Sequence, residues 1–190
     1  LFFTAFDGKV YFRANDGTTG SEMYVTDGSS AGTQPFISPD PAGNGNFANP
    51  AVLGDLLLFG AERDGSGIEL FRTDGTPAGT LPVLDINPGA GSGYQGRGAL
   101  YDGSLFFSGN DGANGPTLWR SDGTPEGTRM VRKLSEISSS AQPGQITAVG
   151  RTGYFIASDG LSSNKLWKTD GTEAGTVPVK DVAEGGSASY

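Results

Sequence analysis

The sequence predicts an all-β fold, a β-propeller of four blades with four antiparallel strands in each. Three observations predict it. A ten-residue motif recurs four times, as 24–33, 71–80, 119–128 and 167–176, its copies starting 47, 48 and 48 residues apart. Ten of the fourteen aspartates are followed directly by glycine, and Asp-Gly is a preferred hairpin connection. Phe12, Phe59, Phe107 and Phe155 each stand twelve residues before the motif aromatic. A repeat of this length means one supersecondary unit stacked several times, and four strands in ~48 residues is the size of a propeller blade.

Each element follows from the residues in order. Val10-Tyr11-Phe12, Leu57-Leu58-Phe59, Leu105-Phe106-Phe107 and Tyr154-Phe155-Ile156 are apolar on both faces, the pattern of strands covered on both sides. They are short, aromatic and bounded by turn residues, which argues against helix. A tight turn precedes them at Asp7-Gly8, Gly54-Asp55 and Asp102-Gly103, with Arg151-Thr152-Gly153 in the fourth copy, and another follows at Asp16-Gly17, Asp64-Gly65, Asp111-Gly112 and Asp159-Gly160. The motif supplies a strand and its own turn, and Val83–Ile86 and Val179–Val182 read as the strand after it. A glycine- and serine-rich loop then leads to a weaker strand, such as Ala99-Leu100-Tyr101 or Thr147-Ala148-Val149. The repeats run approximately 1–50, 51–98, 99–147 and 148–190 of one domain, 1–190. The first strand, Leu1–Phe6, is expected to pair with the C-terminal segment and close the ring, because closure removes exposed sheet edges.

Composition narrows function. The chain holds 32 glycines in 190 residues, over twice the usual ~7%, which suits a turn-rich β domain. Its net charge of −8 argues against nucleic acid or an anionic membrane surface as partner. No stretch approaches the ~20 apolar residues of a membrane-spanning helix, so no membrane insertion is expected. Leu1 in place of an initiator methionine reads as a processed chain. The absence of cysteine and histidine removes disulfides, Ser-His-Asp and Cys-His catalysis and the commonest transition-metal ligands.

The segment Lys165-Leu166-Trp167-Lys168-Thr169-Asp170-Gly171-Thr172-Glu173-Ala174-Gly175-Thr176, followed by Val179-Lys180-Asp181-Val182, resembles the bacterial ELWxxDGT repeat family along the whole chain. The resemblance implies a tandem β repeat in an exported, extracellular or cell-surface bacterial protein, and it names no ligand. The leading glutamate is kept at Glu22 and Glu69 but is Thr117 and Lys165 in the other copies, and the tryptophan is Tyr24 and Phe71 in the first two. Four identical glutamate sites are therefore not expected.

The candidate ligand-binding residues are the motif aromatics Tyr24, Phe71, Trp119 and Trp167, read either as stacking platforms for sugar rings or as core. Exchange among Trp, Tyr and Phe suits packing, where bulk matters more than a polar handle. Asp27, Asp74, Asp122 and Asp170 invite a calcium reading. Against it, each motif carries a single fixed acid, and Asp-Gly turns use the carboxylate on their own backbone N–H groups. No metal or other cofactor is expected. Gly91–Gly96 spells G-x-G-x-x-G without a following helix, so it is no dinucleotide site.

The non-repeated acids Asp40, Glu62, Glu136 and Glu184 form no catalytic constellation. The long loops, 41–50, 91–96, 138–145 and 184–190, are the irregular parts, and irregular loops on a rigid frame are where a ligand site belongs. The expected function is a non-enzymatic module for adhesion, scaffolding or protein assembly with a protein or glycan partner, possible self-association included. A lectin-like carbohydrate-binding propeller is the alternative.

Overall fold

The computed structural model describes residues 3–18, 20–37, 45–96, 98–135, 141–161 and 164–181. These form sixteen strands in four antiparallel sheets, each a simple meander. The first sheet holds β1 (Phe3–Phe6), β2 (Lys9–Asn15), β3 (Ser21–Thr26) and β4 (Gln34–Ile37). The second holds β5 (Ala48–Leu53), β6 (Leu56–Glu62), β7 (Ile68–Thr73) and β8 (Leu81–Leu84). The third holds β9 (Ala99–Tyr101), β10 (Ser104–Asn110), β11 (Pro116–Ser121) and β12 (Arg129–Arg132). The fourth holds β13 (Thr147–Val149), β14 (Thr152–Ala157), β15 (Lys165–Thr169) and β16 (Val177–Asp181).

Contacts divide the chain into two compact units, Leu1–Gly93 and Tyr94–Tyr190, with two sheets in each. In the first unit the core joins Tyr11, Met23 and Val25 to Leu57, Phe59 and Phe71. In the second it joins Phe106, Leu118 and Val131 to Phe155, Ala157 and Trp167. The apolar runs singled out by the sequence thus become the second strand of each sheet. β6 and β10 are buried along nearly their whole length, whereas β2 and β14 alternate.

The two-residue hairpins fall at Asp7-Gly8, Gly54-Asp55, Asp102-Gly103 and Gly150-Arg151. In the first and third both turn residues take positive φ (47° and 68°; 48° and 68°), the geometry that matches the right-handed twist of the strands. The fourth corrects the expected Arg151-Thr152-Gly153: Gly150 supplies the positive φ (60°) and Thr152 already belongs to β14. In every sheet the register between the third and fourth strands shifts at the motif aromatic. Pro35, Pro82 and Pro178 sit opposite Tyr24, Phe71 and Trp167 there, on edge strands, where a residue without N–H is tolerated and discourages further pairing.

The expected ring closure through the first strand falls partly outside the described residues. β1 hydrogen-bonds to β2, with Phe3 opposite Phe12 and Phe6 opposite Lys9, so it completes its own sheet, and the fourth sheet is complete through β13. The C-terminal half of that expected pairing, residues 182–190, lies outside the described residues, as do Leu1 and Phe2.

Candidate functional site

The motif builds the same closed turn four times. The Oδ1 atoms of Asp74, Asp122 and Asp170 accept the N–H (2.9 Å) and hydroxyl (2.7 Å) of Thr76, Thr124 and Thr172, as that of Asp27 does from Ser29. Those hydroxyls accept the N–H of Gly79, Gly127, Gly175 and Gly32. A second hydroxyl pair, Thr73–Thr80, Ser121–Thr128, Thr169–Thr176 and Thr26–Thr33, ties strand end to strand start at 2.7–2.8 Å. A Cβ on Gly79 would lie 2.1 Å from Asp74 Oδ1, and the other three copies repeat this. Glycine is required there because the carboxylate lies against its Cα.

The hydrogen bonds from Ser29, Thr76, Thr124 and Thr172 hold the four carboxyls below their ordinary range. The Asp charge is thus spent inside its own turn. Among the described residues, no three Asp, Glu, His or Cys side chains stand close enough to hold a metal ion together.

The leading motif position fixes the long loops. Glu69, 3% exposed, accepts the N–H of Ile86 (2.9 Å) and Gly93 (2.8 Å) and so clamps the loop after β8. Burial raises its pKa, against those N–H bonds. Glu22 reaches Gly45 N–H at 3.4 Å. Thr117 does the same work with a hydroxyl, donating to the Arg132 carbonyl (2.6 Å) and accepting from Leu134 N–H (3.3 Å). Lys165 instead pairs with Asp159 at 2.6 Å within its own hairpin. The four residue types follow what each loop offers.

The four aromatic candidates are not brought together. Trp167 is buried and donates its Nε1–H to the Ala157 carbonyl at 3.1 Å. Trp119 is buried over Gly109, where a Cβ would meet its Cδ1 at 2.6 Å. Tyr24 is half-buried, its ring 5.8 Å from Phe12. Phe71, 4% exposed, stacks on Phe59 and also lines a cavity of about 230 Å³ with Pro82, Glu69, Ser66, Asp85 and the exposed Arg63–Asp64 ion pair.

A second cavity, about 320 Å³, lies in the second unit, and none of its described lining residues is charged. Its walls are Gln95, Ser108, Pro116, Gln142 and Pro143. The two loops that flank it are extensions of the sheets. Gln95 N–H donates to the Ser108 carbonyl (3.0 Å) and Ser108 N–H to the Gly96 carbonyl (3.1 Å). Gly144 N–H reaches the Ile156 carbonyl (2.8 Å) and Ser158 N–H the Ala141 carbonyl (2.9 Å). Gln142 takes φ 41°, unusual for a residue with a side chain and a mark of backbone set by its surroundings.

Gln95 and Gln142 fall inside the long loops marked by the sequence as the place for a site. Ser108 was missed, although a lone polar residue after Leu105-Phe106-Phe107 is a readable signal. Asp40, Glu136, Glu184 and the loop 184–190 lie outside the described residues, as do parts of the loops 41–50 and 138–145.

No family model matches the sequence, and no curated protein does. Solved structures do match in fold. TolB from Acinetobacter baumannii superposes with TM-score 0.55 at 15% identity, over 86% of this chain and 38% of that one. Puromycin hydrolase superposes with TM-score 0.58 at 15% identity, over 91% and 28%. A variant of that hydrolase complexed with PGG gives 0.59 at 16%, over 93% and 28%. The chain therefore spans between 28% and 38% of the length of these proteins.

This likeness corrects the expected function. Nothing in it points to an adhesive, scaffolding or assembly module or to its lectin-like alternative, and a hydrolase stands among the matches. The physical reason is that the repeated residues are consumed in turns and core, so the repeat carries no information about a ligand. The chain has the propeller-like all-β architecture of four four-stranded antiparallel sheets.

Proposed function

We propose that this chain is a propeller-type module of an exported bacterial protein and that it binds a peptide segment of a protein partner at its long loops. The cavity between Gln95 and Gln142, uncharged among its described lining residues, carries this reading. It is concave, hydrogen-bonding and held by sheet-anchored backbone, as ligand sites of ~300–1,000 Å³ commonly are. The likeness to longer propeller-like structures, of which the chain covers 38% and 28%, supports a module within a longer protein. The resemblance to the ELWxxDGT repeats supports the exported bacterial setting, and among the described residues no helix is long and apolar enough to cross a membrane.

The chain's own part is binding. It has no histidine or cysteine, and its motif carboxylates sit lowered and engaged in turns, unlike an acid or base poised near neutral pH. Selection of a displayed peptide library on the purified chain tests this. Enrichment on the native chain that disappears on a Gln95→Ala/Gln142→Ala variant is the expected result; equal enrichment on both contradicts it.

A further inference from the structure

The 320 Å³ cavity lies in the second unit, and the residues that correspond to part of its lining differ in the first. Aligning the copies on the motif aromatic places Arg13 at the position of Ser108 and Phe47 at that of Pro143. Phe47 is fully buried, edge-on to Phe59 at 5.1 Å. Asn46 stands where Gln142 stands and shares its left-handed backbone, φ 49°. Its amide is committed, donating to Glu62 at 2.6 Å, and the residue corresponding to Glu62 is Ser158. The second unit thus carries Ser108 and Pro143 where the first has Arg13 and Phe47, and Ser158 where it has Glu62.

We infer that this cavity selects an uncharged amide-bearing side chain, asparagine or glutamine, from the bound peptide; the inference rests on the peptide-binding reading above. Gln95 and Gln142 each offer a carbonyl acceptor and two N–H donors, and Ser108 adds a hydroxyl. A primary amide pairs with such groups as donor and acceptor together. Pro116 and Pro143 present apolar walls with no N–H of their own, so no backbone donor there competes for the ligand carbonyl. Among the described lining residues a carboxylate finds no cation and an ammonium no anion, so neither gains an ion pair there. An aliphatic side chain of similar size gains none of these hydrogen bonds.

The test is titration of the whole chain, followed by the side-chain NH2 signals of Gln95 and Gln142 in 15N NMR, with blocked peptides acetyl-Gly-X-Gly-amide, X being Gln, Asn, Leu, Glu or Lys. The Gln and Asn peptides are expected to shift both signals and to bind at least about tenfold more tightly than the others. Gln142→Gly relieves the left-handed backbone and removes the amide, so it keeps or raises the melting temperature while losing the preference. Gln142→Glu transfers the preference to the Lys peptide. Binding of Leu, Glu or Lys peptides as tight as that of Gln overturns this inference and leaves the peptide-binding reading standing. No signal shift with any peptide overturns both.

Discussion

The two units carry the same repeat and close it in different ways. In the first, Glu69 and Glu22 take loop N–H groups, Asn46 is held by Glu62 and Phe47 fills the core beside Phe59. In the second, Thr117 replaces the glutamate, Ser158 and Pro143 replace Glu62 and Phe47, and a cavity with no charged side chain among its described lining residues lies beside Gln142. The motif turns do not differ at all between them. The lesson is that one repeat can hold strand pairing constant while the loops it connects vary in filling and in free hydrogen-bonding capacity.

The shared part is where damage costs most. Phe59 and Phe155 occupy equivalent core positions at 0% and 2% exposure, so Phe59→Ala and Phe155→Ala should each cost roughly 3–5 kcal/mol by chemical denaturation. A loss confined to one of them would break the equivalence of the cores. Gly79→Ala and Gly175→Ala should follow at about 1–3 kcal/mol each, because the new Cβ displaces the turn carboxylate. Double-mutant cycles with Asp74→Ala and Asp170→Ala should recover most of that loss, and full additivity would contradict the contact.

Acid should act on both units through the same turns. Asp27, Asp74, Asp111, Asp122 and Asp170 have folded pKa values below their ordinary ones. Their contribution is present above the unfolded carboxylate value of ~3.9 and is lost as pH falls through the folded values. Glu69 in the first unit has the opposite sign: its raised pKa contributes stability that is present below its unfolded value of ~4.3 and is lost as pH rises. Melting temperature should therefore hold between pH 7 and about 5 and fall below about 4. A steady fall from neutral pH would contradict the assignment.

The finest contrast is between two tyrosines. Tyr11 is fully buried and its hydroxyl has no hydrogen-bond partner among the described residues, whereas the Tyr101 hydroxyl donates to the Thr169 carbonyl at 3.3 Å. Burial pushes the Tyr101 phenol up to about 12. Tyr11→Phe should be neutral or stabilising, and Tyr101→Phe should cost ~0.5–1.5 kcal/mol. Equal costs in thermal melts would erase this difference between the units.

Strands and turns were legible because they repeat. The Phe12, Phe59, Phe107 and Phe155 register located the second strand of every sheet, and Asp-Gly located most hairpins through the one backbone conformation it favours. The turn at Gly150-Arg151 was misplaced because glycine comes first there and the following Gly153 in the strand mimicked a turn signal. The pairing of β1 with β2 was legible from the Asp7-Gly8 turn between them, whereas the C-terminal segment expected to close the ring lies outside the described residues. Long-loop geometry was legible only as a location. Gln95 and Gln142 gain meaning from Ser108 and Pro143 being small, and that is a fact about packing across two sheets.

The most direct test is to fill the cavity from Ser108. Ser108→Arg introduces the residue that stands at the corresponding position 13 of the first unit. A folded chain is expected, with the native NMR amide pattern away from residues 95 and 142–144, that no longer binds acetyl-Gly-Gln-Gly-amide. Binding of that peptide at native affinity by the folded Ser108→Arg chain would show that the open cavity of the second unit is not the site.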